Sequence, residues 1–574
     1  MKSLKAMNIR GIMKESVVAD HQERSFGHFV AKEAKMDRIL HNGKIYTGLE
    51  LEMVSAVGIK DSKIVMLGSD DFVMESKTEE TKCIDLGGRA VFAGFNDSHM
   101  HLLNYGYTRT MVQLTGASSI EDLQERARDF IEENDFEAGE WILGRGWNQD
   151  HFSSKVFPTR YDLDVISRDH PLLFTRACGH IFVVNSKALE IAGIGSSTPQ
   201  VEGGYFDVDE QGEPLGIFRE NAQELILREV RPPGIEKMKS MMRRAFYDLN
   251  KEGITSVGSD DFGAMPDHDH RKVIQAYKEL LSAGDMSVRV YEQCLLPQKT
   301  MLLDFYEEGY RTGKGCEFFK IGPLKLLIDG ALGARTALLR EPYCDDPSTR
   351  GIATATQEEL NDLIWTAHQN DCQVAIHGIG DGGMDMAFAA IENALKLYHR
   401  EDHRHGIVHA QITDESLMKK FQDLKALAYI QPIFLDYDWK IVNSRVGSAR
   451  ESTSYDWKGM YDRGIHESMG SDAPVETFSV MAGIYEAVTR KDLSGQPAEG
   501  WMMDKAVSVE QAILGYTIEG AYASFEEDIK GTIDIDKLAD LVVLSEDPLR
   551  IDKDRIKDIK VDMTIVGGKI VYER

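Results

Sequence analysis

The chain has few of the features that would set it apart from ordinary soluble proteins. Its 574 residues hold six cysteines, Cys83, Cys178, Cys294, Cys316, Cys344 and Cys372, and no two of them stand in a C-x-x-C pair. That spacing argues against a zinc ribbon or a disulfide framework and leaves reduced thiols as the expectation. No stretch approaches the roughly 18 consecutive apolar residues of a membrane-spanning helix. The first residues lack the apolar core of a secretory signal, so the cytoplasm is the default location. Basic residues are scarce: 66 Lys and Arg stand against 94 Asp and Glu, a formal charge of −28. A nucleic-acid surface needs a basic footprint, and an anionic membrane attracts one, so neither partner is expected. No G-x-G-x-x-G follows an early strand, and P-loop spacing is absent.

What is present is globular in balance, with 42% hydrophobic and 28% charged residues. The length implies a large domain of about 400 residues with a smaller one beside it. Residues 1–36 show no clean period and read as a flexible leader, with the folded unit beginning at about Met36. Over 37–94 the pattern is short β, RILHNGKIYT, VSAVGIKDSKIVMLG and KCIDLGGRAVFAG, with Asn42-Gly43 and Asp61-Ser62 supplying turns. Residues 530–574 echo it. One small β domain, a sandwich assembled from both termini, is therefore expected.

Between them, 95–529 alternate β-branched runs with amphipathic stretches. The runs are GITSVGS, SVRVYEQ, LKLLID, CQVAIHG, GIVHAQ, ALAYIQP and HESMGSD; TQEELNDLIWTAHQN and GGMDMAFAAIENALKLY are among the helical stretches. Such alternation favours a parallel α/β architecture, best met by a closed (β/α)8 barrel of TIM type, with a doubly wound open sheet as the alternative. Residues of about 140–250 interrupt it and read as an insertion placed as a lid.

The stretch GFNDSHMHL carries the strongest chemical signal. An apolar run leads into it, and period 2 in a strand puts His99 and His101 on one face, the start of a metal site. Two other H-x-H pairs, His268/His270 and His403/His405, lie in charged stretches without an apolar lead-in and read as solvated loop histidines. Strand ends are where a parallel barrel gathers its functional side chains. The ionisable residues at those ends are His99, His101, Lys325, His377, His409 and Asp472. Taken singly each has a plain structural reading: a salt-bridged lysine, core histidines, a turn or cap aspartate.

Their order resembles the ligand order of the amidohydrolase superfamily, and more narrowly of its amidohydrolase 3 group (YtcJ-like and N-substituted formamide deformylase-like). The likeness extends over nearly everything after Met36, through GFNDSHMHL, WILGRGWNQ, HIFVVNSKAL, GEPLGIFREN, PLKLLIDGALGARTALL, VAIHGIGDGGMD, GIVHAQ, YIQP, MGSDAPVE, YTIEGAYAS and GTIDIDKLADLVVL. Ala93 departs from the proline the group usually has before the glycine, at the strand entry and away from the ligands. The resemblance implies a hydrolase of non-peptide C–N bonds, with an amide, N-formyl or cyclic amide small molecule as substrate. It implies one or two metal ions, Zn2+ favoured over other divalent transition metals. His99 and His101 would bind the deeper metal, carboxylated Lys325 would bridge to a second held by His377 and His409, and Asp472 would bind metal and move the proton of an activated hydroxide. Trp147, His180, Asp329, Arg335 and Gln431 stand in family-like segments as candidate substrate contacts, Arg335 towards a carboxylate and Trp147 towards an aromatic group, with packing roles open for each. A regulatory or binding protein that keeps the scaffold is the alternative, and a homodimer is compatible with the sequence.

Overall fold

The computed structural model describes residues 29–30 and 35–574 except 135, 138, 178 and 179. The rest of the expected leader, and Cys178, therefore lie outside the described residues. The chain divides into two compact units. The larger comprises residues up to 104, 242–264 and 268–574; the smaller comprises Tyr105–Met241 with 265–267.

The larger unit is built around eight parallel strands: β1 Phe95–Met100, β2 Ile254–Ser259, β3 Arg289–Leu295, β4 Phe319–Leu327, β5 Val374–Gly378, β6 Gly406–His409, β7 Leu427–Ile430 and β8 Glu467–Met469. The expected barrel strands are all there, and each pairs with its predecessor in the chain. β2, β6 and β7 are buried along their whole length, which is why they read as continuous apolar or β-branched runs with little alternation. Hydrogen bonds close the ring at the seam between β1 and β8: Asp472 N donates to His99 O at 2.8 Å and Ser471 N to Asp97 Oδ1 at 3.0 Å. A carboxylate on β1 is thus what fixes the loop carrying Asp472.

Both termini build the small β domain. In its six-stranded sheet Ala90–Ala93 lies between Lys44–Thr47, to which it runs parallel, and Leu541–Leu544, to which it runs antiparallel. A five-stranded sheet faces it, and Leu40, Val57, Ile64, Val91, Leu541, Val543 and Ile565 share one core. Burying each such side chain contributes roughly 1.5–3 kcal/mol, so neither terminal piece completes the core alone. The pairing of Phe29–Val30 with Leu67 and Met66 takes up two residues ahead of Met36. A buried ion pair ties this domain to the barrel: Arg289 on β3 grips Asp540 with two hydrogen bonds of 2.7 and 3.0 Å.

The smaller unit has its own six-stranded sheet and two apolar clusters, one around Trp147, Phe152 and Phe174, the other around Phe182, Phe206 and Phe218. It starts at Tyr105, well ahead of the expected insertion boundary, because the helix Ile120–Glu133 has an amphipathic period like that of a barrel helix. Among the described residues no helix is long and apolar enough to cross a membrane. Cys83, Cys294, Cys316, Cys344 and Cys372 are free thiols.

The two H-x-H pairs read as solvated are a correction. His268 is exposed, but His270, His403 and His405 are buried. His270 packs its ring against Phe262 and Phe305. His405, just before β6, accepts from Val374 N through Nδ1 at 3.0 Å, which puts its proton on Nε2, facing His368 Nδ1 at 2.8 Å. His368 Nε2 in turn donates to Tyr398 O, and His403 accepts from His405 N and donates to Leu424 O. Each ring has one donor and one acceptor matched only when neutral, so an added proton meets a donor. Arg400, Asp371 and Asp402 are the charged groups acting on them, and burial is the main reason all three titrate low, His403 at about 4. Groups depressed on folding take up more protons when unfolded, so their stabilisation is full above about pH 6.5 and is lost as pH falls towards the folded values. We expect the melting temperature to drop between pH 6.5 and 4, with roughly 3 kcal/mol from His403 alone. A melting temperature flat across that window would contradict the network.

Candidate metal centre

The six strand-end residues converge. His99 and His101 keep their period-2 relation at the end of β1, Lys325 lies on β4, His377 on β5, His409 ends β6, and Asp472 follows β8. His99 Nε2 and His101 Nε2 lie 3.2 and 3.1 Å from Asp472 Oδ1, and Lys325 Nζ lies 3.1 Å from His99 Nε2. Ring centroids run 5.3 Å from His99 to His101, 5.7 Å from His99 to His409 and 4.5 Å from His409 to His377. Among the described residues, His99, His101 and Asp472 are the one group with three His, Cys, Asp or Glu donor atoms within 4.8 Å of one another. His409 and Asp472 adopt φ of 79° and 60°, a left-handed backbone that non-glycine residues take up at a cost.

The outer partners decide which ring nitrogen faces inwards. Gln293 donates Nε2 to Ser98 O, so its Oε1 accepts from His99 Nδ1 at 2.7 Å. Gln431 donates to Tyr429 O, and its Oε1 accepts from His409 Nδ1 at 2.8 Å. His101 Nδ1 donates to Asp260 O at 3.0 Å. When neutral, these three rings carry their proton on Nδ1 and turn Nε2 towards the centre. His377 is reversed, with Nε2 against Gly330 O at 3.2 Å and Asp329 Oδ1 at 3.3 Å, leaving Nδ1 free. Neutral imidazoles with one nitrogen tied to an acceptor are the form that binds a metal.

Electrostatics agree. Burial, helped by the Lys325 ammonium, brings His99 down to about 3, and burial beside His377 holds His409 well below its usual value. For His101 burial is outweighed by the hydrogen bond and charge of Asp472, which raise it to about 9. Burial works against the Asp472 carboxylate too, yet His101 and His99 hold it well below the usual range. A proton on His101 thus supplies the positive charge Asp472 demands, and a divalent cation between the same atoms would supply it instead. Asp260 Oδ1 is buried without a hydrogen bond while Oδ2 lies 3.9 Å from Lys325 Nζ, a further sign that the site is built for more positive charge. The donor set of imidazoles and carboxylate fits a transition metal.

The structure gives the five candidate substrate contacts mainly supporting roles. Trp147 is fully buried in the smaller unit's own core, its Nε1 donating to Phe174 O. His180 is exposed and pairs with Glu220. Arg335 is held by Asp345. Gln431 orients His409, as above. Asp329 accepts from the backbone N–H groups of Leu338, Ile379 and Gly380 besides facing His377. Asp97, Asp260 and Gln293 also surround the centre. Asp260 was within reach of the strand-end rule, since it follows GITSVGS directly; Gln293 was not, because an uncharged amide inside an apolar run carries no such signal.

A parallel eight-stranded barrel whose strand ends bring together imidazoles and a carboxylate able to hold a metal is the arrangement of a metal-dependent hydrolase. The model of the Amidohydrolase family (Amidohydro_3) matches residues 82–572, and the chain belongs to that family. It is 34% identical over 543 residues to the putative amidohydrolase YtcJ of Bacillus subtilis (strain 168), covering 94% of this chain and all of that one. It is 26% identical over 533 residues to the N-substituted formamide deformylase of Arthrobacter pascens, covering 90% and 95%. Among solved structures, an uncharacterized metal-dependent hydrolase from Pyrococcus furiosus superposes with a TM-score of 0.73 at 30% identity, over 89% of this chain and 100% of that one.

Proposed function

We propose that the protein hydrolyses a non-peptide C–N bond of a small amide, N-formyl or cyclic amide substrate, with Zn2+ held by His99, His101, His377, His409, Asp472 and a carboxylated Lys325. The observation that carries the reading is the set of four imidazoles, each with one ring nitrogen tied to an outer acceptor so that the other is the one left as a donor atom for the centre. When bound, zinc supplies Lewis acidity and lowers the pKa of water from about 15.7 towards about 7. Asp472 has the position of the proton carrier: its Oδ1 is engaged by both imidazoles, leaving Oδ2 to take a proton and pass it to the departing nitrogen. Burial lowers Lys325. That favours the neutral amine, the form that adds to CO2 with loss of a proton, and the resulting carbamate is an anion with two oxygens where an ammonium only donates. The N-substituted formamide deformylase among the relatives supports the N-formyl arm. The complete donor set gives no support to a silent binding scaffold.

The test is elemental analysis of the purified protein together with turnover of a panel of N-formyl amines, anilides and cyclic amides. One to two equivalents of zinc, turnover within the panel, and a mass increment of one CO2 on the Lys325 peptide under native conditions are expected. Metal-free protein of normal stability that hydrolyses nothing would overturn the reading.

A further inference from the structure

The metal centre has an apolar wall on the side of β3 and β4. Strand alternation puts Leu327, two residues past Lys325, on the same inward face of β4, and it is paired in register with His377 on β5. On β3, Gln293 points inwards to His99, and Leu295, two residues further, is paired in register with Lys325. The two leucines therefore stand one at the level of Lys325 and one at the level of His377. After β7, Phe434 stacks on the His409 ring, with centroids 5.7 Å apart and planes 14° from parallel. The loop after β2 passes Leu295 with a glycine, since a side chain at Gly263 would come to 3.0 Å from Leu295 Cδ2.

Solvent reaches this wall directly. Leu327 is 44% exposed although Leu326 and Ile328 on either side of it are buried, and the side chains of His377 and His101 retain 15% and 26% exposure. Leu295 and Phe434 are half-buried. A leucine at the carboxyl end of a barrel strand takes no part in the charge or proton chemistry of the centre, and its exposure to water is unfavourable until an apolar group covers it. A polar substituent placed there would lose hydration without gaining a hydrogen bond from any of the three side chains.

We propose that Leu295, Leu327 and Phe434 form an apolar subsite for the substituent beside the scissile bond, so that the amide hydrolysed carries an alkyl or aryl group there. This rests on the hydrolase reading of the adjoining centre. Leu327 is the specificity-determining residue: it is the most exposed of the three and stands beside His377, so a substituent that covers it lies next to the carbonyl the metal would hold.

Calorimetric titration of the full-length, zinc-loaded protein with two pairs of probes tests the proposal: acetohydroxamate against hexanohydroxamate, lengthened on the carbonyl, and N-methyl- against N-pentyl-N-hydroxyformamide, lengthened on the nitrogen. All four offer the metal the same two oxygens, so a difference within a pair reads the contact of the chain alone. Burial contributes roughly fourfold per methylene, and the longer member of at least one pair is expected to bind at least about tenfold more tightly. The pair that shows the gain identifies the side of the scissile bond that faces the wall. Leu327→Ala, at an exposed position whose truncation spares the fold, should bring the gain to about threefold or less, with metal content and affinity for the short probe unchanged. Equal binding within both pairs, or a gain unchanged in Leu327→Ala, overturns the proposal. In turnover the loss of kcat/KM in Leu327→Ala should grow with substituent length, and a loss independent of length overturns it by marking Leu327 as a support of His377 only. A gain without turnover of any amide strikes the hydrolase reading alone, and turnover without a gain strikes the subsite alone.

Discussion

Asp472→Asn is expected to lower kcat/KM by about 10²–10⁴-fold, with the fold retained and the metal held more weakly. The carboxylate does two things that an amide of the same shape cannot. Its Oδ1 supplies the negative charge facing His99 and His101, and in the proposed mechanism its other oxygen is the base that carries the proton. The backbone is undisturbed because Asn, like Asp, tolerates the left-handed φ of 60° at this position. The hydrogen bond from Asp472 N to His99 O at the barrel seam also survives the change. His101 gives a readout independent of turnover. Without the Asp472 charge that holds it near 9 its pKa should fall, as NMR titration of the metal-free variant would record. Activity within tenfold of the native enzyme at full metal occupancy would remove Asp472 from the mechanism.

Asp329→Ala is expected to cost about 3 kcal/mol or more of stability and to lower metal affinity or activity roughly 10–100-fold. The Asp329 carboxylate is buried and accepts from three backbone N–H groups, those of Leu338, Ile379 and Gly380. Truncation strands those donors, each at about 1–3 kcal/mol, and frees the His377 ring to rotate. Asp329→Asn retains acceptor capacity on one oxygen only and should fall between the two. Equilibrium unfolding with metal titration separates the stability loss from the loss of ring orientation. A variant as stable as the native protein, with unchanged metal affinity, would show that the turn after β5 holds itself.

Much of this was readable in the chain because a parallel barrel strand is covered on both faces. Ionisable residues are scarce along its length and gather towards its ends, so His377 in VAIHG and His409 in GIVH announce both the strand and the site. The same reasoning failed for His403 and His405. Their charged neighbours Asp402 and Arg404 suggest solvent, yet Arg404 is itself buried, lying over the rings of Tyr522 and Phe525 and paired with Glu527. For Trp147 in WILGRGWNQ the sequence leaves a substrate contact and a packing role both open, and its full burial fits the packing role.

Sequence by itself determined the parallel barrel and the β-rich character of both termini, and its strand ends singled out the six residues that the fold brings together. Each depends on local periodicity or on which residue types a strand end admits. Tertiary structure alone decided which nitrogen of each imidazole faces inwards, which carboxylates are left without partners, and where the smaller unit begins. Those depend on groups distant in the chain, such as Gln293 on His99 and Asp97 on Ser471, whose meeting is set by packing.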